Sequence, residues 1–157
     1  SRASEGLQIH HIDENKAIML SSPEYAKDAP FKYQEASRLV YCNLIEHLIL
    51  HFKIVEATLE KIKPSNILFG FGGAANYLIP QINDYYSGKI DKKNKLYAVL
   101  DGNFDSYISI LRDFLNLGFE YYWVGRKITP AKLSRGTDGK IIKEIYVKGK
   151  LVNIVVK

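Results

Sequence analysis

The sequence predicts an α+β fold, and three features of its pattern indicate this class. Short stretches typical of β-strands lie near both ends of the chain, at 7–12 and 140–157. Between them, apolar residues recur every three or four positions, as on one face of a helix. The chain has 157 residues, 46% of them hydrophobic, which is enough for one domain with its own core. We therefore expect strands towards the ends and helices in the middle.

The N-terminal part predicts a strand followed by a long loop. Residues 7–12, LQIHHI, favour a strand and carry the adjacent histidines His10 and His11. Residues 13–36 are rich in turn formers and predict irregular structure. Loops of this length inside compact domains are usually functional or disordered.

A long helix is expected next. Ser37 is a suitable N-cap, and Pro64 cannot continue a helix, so we expect the helix to run from Ser37 to residue 63. His47 and His51 lie one turn apart on the same face of this predicted helix.

The second half predicts further helices. Residues 70–73 are expected to form a turn, and 74–86 a helix that Pro80 interrupts or delays. The surrounding GFGGAA imitates a dinucleotide-binding fingerprint, but no βαβ unit encloses it, so a tight turn with close helix packing is the better interpretation. Residues 96–100 favour a short strand or a helical turn. Residues 105–119 favour an amphipathic helix that an aspartate opens and a glycine ends.

The last part predicts strands. EYYWVG at 120–125 is typical of a strand, and 140–157 alternates in polarity about a turn at Lys148-Gly149, which predicts a β-hairpin. We divide the chain into 1–63 and 64–157, and expect both parts to belong to one compact domain.

Composition narrows the protein class. No apolar run approaches the roughly 18 residues of a membrane span, and no charged and apolar leader opens the chain. The single cysteine, Cys42, rules out an internal disulfide and fits a reducing compartment. We therefore expect a cytoplasmic protein without a membrane partner.

The charge is uneven along the chain and suggests a polyanionic partner. Residues 1–90 have a net charge of −1, whereas 91–157 have a net charge of +6. Phosphate neutralisation dominates non-specific nucleic-acid binding, so a nucleic acid is one expected partner. The alternative is the ordinary solvated surface of a basic protein.

The most basic segment, 126–157, has a net charge of +7. Its cations would grip the phosphate backbone and position a duplex rather than read its sequence. The best candidates for duplex contacts are Lys127, Lys132, Arg135, Lys140 and Lys143.

The four histidines form two pairs that suit a metal site. Two imidazoles at i and i+4 on a helix reach one metal ion, and His10 supplies a third ligand from the strand. Neighbours in a strand point to opposite faces, so His11 stays free as a proton acceptor. Three imidazoles favour Zn, Ni or Co over Mg. The sequence does not distinguish among Zn, Ni, Co, Mn and Mg, and Zn is the ion expected to be bound. A structural zinc would need a fourth ligand, and Cys42 is expected on the opposite helix face.

IHHI followed by RLVYCNLIEHLILH resembles the HNH, or ββα-metal (His-Me finger), nuclease motif in its colicin-like form. The resemblance covers about 7–51 and implies a ββα-metal motif embedded in a larger mixed domain. It implies that His10, His47 and His51 hold one divalent ion and that His11 is the general base. The implied protein is a metal-dependent endonuclease that hydrolyses DNA phosphodiester bonds. It would be bacterial or phage-encoded and serve restriction, phage or mobile-element DNA processing, or act as a toxin.

One position departs from that motif. The Asn that orients the base-bearing loop is replaced by Arg38, a candidate catalytic residue. Arginine has only donors, so it would donate to a carbonyl or contact a phosphate. Asn15 and Asn43 are alternative orienting residues. Three acids lie near the histidines. Asp13 and Glu14 could tune the base His11, and Glu46 could orient an imidazole N–H, but all three are expected to be solvated charges.

Two other classes of protein remain open. A zinc-stabilised DNA-binding module would use the same ligands without cleaving DNA. An interaction domain would use the histidines for packing and would bind no metal.

Overall fold

The fold is α+β, as predicted, and mostly helical. The computed structural model of the chain describes residues 2–59, 68–91 and 93–117. It also describes four short strands, Tyr121–Trp123, Arg126–Ile128, Ile145–Val147 and Lys150–Val152.

The N-terminal sheet consists of two antiparallel strands. Strand β1, Gln8–His11, pairs with β2, Leu39–Cys42, so that Gln8 lies opposite Cys42 and His11 opposite Leu39. β1 lies inside the strand predicted at 7–12. β2 was not predicted, although β-branched and aromatic residues such as Val40 and Tyr41 favour strands.

The connection between these strands contains short helical turns rather than a featureless loop. Leu20, near the middle of this connection, is buried and only 1% exposed. The turns are 3-10 helices at Ile12–Asn15, Phe31–Gln34 and Ala36–Arg38, and the single-turn α1 at Pro23–Ala26.

The helix predicted from Ser37 begins later, because the segment before it pairs with β1. Helix α2 spans Leu44–Leu59, and residues 60–67 lie outside the described part of the chain. Its first turn is capped by Asn43, whose Oδ1 accepts hydrogen bonds from the N–H groups of Ile45 and Glu46, each at 3.0 Å. The Glu46 carboxylate accepts the N–H of Asn43 in return, at 2.8 Å. This is a capping box. Glu46 is exposed, as expected of a solvated helix charge, and the capping contact is an additional role that was not predicted.

The predicted turn at 70–73 is mostly helical. Gly70 alone has a left-handed backbone there, with φ 80°, and helix α3, Phe71–Gly73, begins directly after it. A π-helical turn, Ala74–Leu78, joins α3 to α4, Ile79–Tyr86. Pro80 lies in the first turn of α4. The wider π turn before it accommodates the missing N–H and the bulk of the proline ring.

The next two elements are also helical. Lys95–Leu100 is a 3-10 helix, which decides between the two alternatives for that segment. Helix α5 spans Phe104–Asn116, with Asn103 at the N-cap. Asp105, which was predicted to open the helix, lies in its first turn, two positions after the N-cap. Residue 118, where the helix was predicted to end, lies outside the described residues.

One hydrophobic core packs α2 against the helices that follow it. The Tyr107 side chain is fully buried, and its hydroxyl donates to Oδ1 of Asn83 at 2.9 Å. The large side chains that are fully buried in this core come from α2, α4, the 3-10 helix after it and α5: Leu44, Leu48, Val55, Ile82, Leu100, Tyr107 and Leu111. Because α2 buries this face, its other face is available to β1 and β2.

The described C-terminal strands form two antiparallel pairs. β3, Tyr121–Trp123, pairs with β4, Arg126–Ile128, and lies in the strand predicted at 120–125. β5, Ile145–Val147, pairs with β6, Lys150–Val152, which agrees with the predicted hairpin. Its predicted turn lies outside the described residues. Among the helices that the structure describes, each is too short or too polar to cross a membrane.

We predict that Asn43→Ala lowers the free energy of unfolding by about 1 kcal/mol, because two N–H groups of α2 lose their acceptor. Urea denaturation measures the change. Asn43→Ser keeps an acceptor oxygen and is expected to cost only a few tenths of that amount. Equal stability of the Ala and Ser variants would contradict the capping role.

Candidate metal centre

Three imidazoles converge where β1 meets α2. The ring centroids of His10, His47 and His51 lie 5.0–5.2 Å apart, and one nitrogen from each ring lies within 4.8 Å of the others. β1 supplies His10, and α2 supplies the other two from adjacent turns. The three residues predicted as metal ligands therefore lie together, and we call them the three-histidine cluster.

Two of these imidazoles are fixed by hydrogen bonds that determine which nitrogen faces the cluster. His47 Nδ1 donates to Gln8 Oε1 at 2.7 Å, and His51 Nδ1 donates to the Gly70 carbonyl at 3.0 Å. Each ring therefore keeps a lone pair on Nε2. Such partners typically orient histidines that bind metals. Gln8 was not identified from the sequence, although it lies two residues before His10 on β1.

One atom of His10 indicates whether a metal ion suits the cluster. Its Nδ1 is buried and has no hydrogen-bond partner within the described residues. A buried polar atom without a partner is costly, and metal coordination removes that cost. Three imidazole nitrogens are a donor set that suits Zn, Ni or Co. The cluster therefore fits the divalent cation expected from the sequence.

Burial keeps the cluster neutral near neutral pH. Desolvation lowers the pKa of His10 and of His47 to about 4, with the charge of His47 contributing at His10. Desolvation, followed by the charges of His47 and His10, lowers the pKa of His51 to about 3. Neutral imidazoles are the form that binds metal, so protons do not compete for the cluster near pH 7.

Two glycines shape the wall against which His51 packs. The carbonyl of Gly70 accepts the His51 N–H, and Gly70 has the left-handed backbone that glycine permits. Gly73 has no side chain where one would collide with His51. A Cβ there would lie 2.5 Å from Nδ1 and 2.8 Å from Nε2 of the imidazole. The close packing predicted for GFGG is confirmed, and its partner is a residue of the cluster.

A carboxylate lies inside the same site. Glu14 Oε2 is 3.1 Å from His51 Nε2 and 3.6 Å from His10 Nδ1, while Oε1 is 4.0 Å from His11 Nδ1. The Glu14 side chain is only 12% exposed, and burial raises its pKa to about 7. The expectation that Glu14 is a loop-surface charge was therefore wrong.

Its neighbour Asp13 is also buried rather than exposed. The Asp13 side chain is 1% exposed and accepts two hydrogen bonds from Arg38, each 2.7 Å long, and one from Lys16, also 2.7 Å. These bonds, that of Arg38 first, hold the Asp13 pKa well below its usual range. Arg38 thus ties the residue before β2 to the turn that carries Glu14. Arg38 was expected to donate to a carbonyl or to contact a phosphate. Among the described contacts it donates to the Asp13 carboxylate instead.

His11 is held apart from the cluster by a different partner. Its Nε2 lies 3.1 Å from Gln34 Oε1, and the Gln34 amide N–H donates to the Leu20 carbonyl at 2.9 Å. That second bond fixes the amide with its oxygen towards His11. His11 Nε2 therefore carries the proton and Nδ1 keeps a lone pair. Nδ1 is buried without a hydrogen-bond partner among the described residues.

His11 borders a cleft of about 780 Å³. The cleft wall also includes His47 of the cluster, as well as Gln8, Gln34 and Arg2. His11 and one residue of the cluster thus both belong to the wall of this cleft, although the His11 Nδ1 atom itself is buried.

The remaining sequence candidates lie elsewhere. Cys42 ends β2 and not a helix, so its expected position on the opposite helix face was wrong. It is buried but not part of the three-histidine cluster, and desolvation raises the pKa of its thiol to about 11. Asn43 caps α2 and does not orient His11. Lys127 lies in β4, whereas four other predicted duplex contacts lie outside the described residues: Lys132, Arg135, Lys140 and Lys143.

No protein-family model, no curated protein and no solved structure matches this chain. What the site does is therefore inferred from its own geometry and chemistry.

We predict that Gly73→Ala weakens zinc binding at least tenfold, because the added methyl displaces the His51 ring. Calorimetric zinc titration measures the affinity. The control measures the free energy of unfolding in a His51→Ala variant, where the methyl group added at position 73 meets no imidazole ring. There, Gly73→Ala should stabilise the protein by up to about 1 kcal/mol, because alanine favours a helix more than glycine does. Wild-type zinc affinity in Gly73→Ala would contradict the packing role.

We predict that the thermal midpoint of the metal-free protein falls as the pH is lowered from 6.5 to about 4. Over this range the histidines of the unfolded chain, whose ordinary pKa is 6.5, become protonated. The histidines of the folded cluster stay neutral, so the unfolded chain binds more protons and acidification favours unfolding.

Glu14 acts in the opposite direction. In the folded chain the pKa of Glu14 is about 7, above its ordinary value of 4.5. Its stabilisation of the folded state is therefore complete below pH 4.5 and is lost as the pH rises through 7. The three histidines outweigh this one carboxylate. Scanning calorimetry measures the midpoint, and His47→Gln should flatten the dependence. A midpoint that stays level or rises on acidification would refute the prediction.

Proposed function

We propose that this chain is a metal-dependent endonuclease of the HNH, or ββα-metal, type that hydrolyses DNA phosphodiester bonds. One observation carries the proposal: the three-histidine cluster lies beside a fourth imidazole, His11, whose proton position is fixed and which borders an open cleft. Residues that only pack a core would not need this division of roles.

The order of elements supports the same proposal. β1 pairs antiparallel with β2, and β2 leads directly into α2. The cluster takes one imidazole from β1 and two from α2, which is the distribution that the nuclease motif uses. This order of elements is compatible with the resemblance of IHHI and EHLILH to that motif and supports the proposal.

His10, His47 and His51 would hold one divalent cation, with zinc favoured by the imidazole donors. When bound, such an ion supplies Lewis-acid stabilisation of the charge that develops on the phosphoryl group.

His11 then has the role of general base. Its Nδ1 lone pair accepts a proton from the attacking water, while Gln34 keeps the proton on Nε2. Gln34 thus performs, through a side-chain amide, the orienting task that the motif assigns to an asparagine. Arg38 acts as a positioning residue, because its ion pair with Asp13 holds the turn that follows His11.

DNA is the proposed substrate because the nuclease resemblance implies it, and the basic C-terminal segment suits a nucleic acid. Lys127, Lys132, Arg135, Lys140 and Lys143 would contact the phosphate backbone and position the duplex. Restriction, phage or mobile-element DNA processing and toxin action all remain roles compatible with this chemistry.

A second candidate function is a zinc-stabilised DNA-binding module without catalysis. The position of Glu14 favours it specifically, because a carboxylate 3.1 Å from His51 Nε2 can supply a fourth protein ligand. Structural zinc sites typically have four protein ligands, whereas catalytic ones leave a position open.

We predict that the wild-type chain nicks supercoiled plasmid with at least one of Zn, Ni, Co, Mn or Mg added singly. His11→Ala should nick at least 100-fold more slowly, because the general base is lost, and should retain its metal. Gel electrophoresis measures nicking, and elemental analysis measures the bound metal.

Ile12→Ala, at a half-exposed neighbouring position, is the control and should retain full activity. A wild-type chain that binds metal and DNA but nicks with none of the five ions would instead support the zinc-stabilised module.

A further inference from the structure

We infer that Glu14 is a fourth protein ligand of the metal centre. This inference rests on the metal site of the proposed function but not on DNA cleavage. It is compatible with both candidate functions, because zinc can expand to five ligands and so still admit a substrate beside four protein ligands. Glu14 reaches the site from the 3-10 turn Ile12–Asn15, directly after β1, and its side chain is 12% exposed.

The distances from Glu14 to two of the three imidazoles fit a shared ligand shell. Glu14 is not one of the groups whose ligand atoms all lie within 4.8 Å of one another, so metal binding would draw its carboxylate towards His47. A tetrahedral zinc with bonds of about 2.0–2.1 Å has about 3.3 Å between neighbouring ligand atoms. Glu14 Oε2 lies 3.1 Å from His51 Nε2 and 3.6 Å from His10 Nδ1, values on either side of that spacing. The carboxylate oxygen therefore has the separation from both imidazoles that two ligands of one ion have.

The proton positions around Glu14 also call for a cation. His51 Nδ1 donates to the Gly70 carbonyl, so its Nε2 turns a lone pair towards the Glu14 oxygen. His10 Nδ1, near the same oxygen, lacks a hydrogen-bond partner among the described residues. One proton between Glu14 and His51 would leave His10 without a partner. A divalent cation satisfies all three atoms together.

The nearby cations do not neutralise Glu14. Arg38 and Lys16 both bind the Asp13 carboxylate, each at 2.7 Å. The ion-pair contacts described for Glu14 are instead to His10, His11 and His51. A buried carboxylate is costly without a paired charge, and a metal ion among these imidazoles would supply it. The Asp13 anchor also holds the turn in place, so Glu14 is positioned before the metal binds.

The test is metal binding by the full-length chain without DNA. Metal-free protein is titrated with Zn²⁺ by calorimetry and with Co²⁺ by visible absorption, which reports the ligand set of the ion. Glu14→Gln removes the carboxylate but keeps its size, and should weaken zinc binding at least tenfold and change the Co²⁺ spectrum. Glu14→Asp keeps a carboxylate on a shorter side chain and should bind with intermediate affinity.

Glu24→Gln is the matched control, because it makes the same charge change at an exposed residue of α1. It should bind both ions as the wild type does. Wild-type affinity and an unchanged spectrum in Glu14→Gln would overturn the inference. A wild-type chain that binds neither ion would overturn it together with the metal site. Tight binding that depends on Glu14, in a chain that nicks no plasmid, would support the inference and refute the nuclease.

Discussion

The antiparallel pairing of β1 with β2 is the interaction on which the site depends. β2 leads directly into α2, so a strand paired with β2 is held against the first turns of that helix. The pairing thereby brings His10 to His47 and His51, and it also brings Gln8 within hydrogen-bond distance of His47. The apolar face of α2 packs in the core at the same time, which keeps the helix from rotating away from the sheet.

A polar site beneath a protein surface is stable only when its groups have partners, and most of these do. Gln8, Gly70 and Gln34 each hold one nitrogen of an imidazole, and Arg38 neutralises Asp13. The exception is the centre, where lone pairs of imidazoles and an oxygen of Glu14 face one another. That concentration of acceptors favours a bound cation over the alternative in which the histidines merely pack.

The nuclease and the zinc-stabilised module differ in what they require of two residues. A nuclease requires His11 as a proton acceptor and a metal position that substrate can reach. A structural zinc requires a fourth protein ligand, and Glu14, 3.1 Å from His51 Nε2, is the residue we propose for that position. His11 and Glu14 lie on one short segment, the end of β1 and the 3-10 turn after it. The position of this turn therefore decides whether Glu14 or a substrate would occupy the fourth position at a metal bound by the three histidines.

The sequence by itself determined the features that depend on local periodicity. Helical spacing put His47 and His51 on one face, strand alternation separated His10 from His11, and the mixed α+β class followed from the same patterns. It did not determine that Ser37 precedes a strand, because pairing with β1 and the Asn43 cap outweighed the helical pattern there.

Only the tertiary structure decided the partners of the site. Glu14, Gln34 and Gly73 act on histidines across loops and between elements, and Asp13 and Arg38 find each other in the same way. Such contacts depend on how separate segments pack, which residue spacing does not encode. For the same reason, two acids that look solvated in the sequence, Asp13 and Glu14, proved to be buried near the three-histidine cluster.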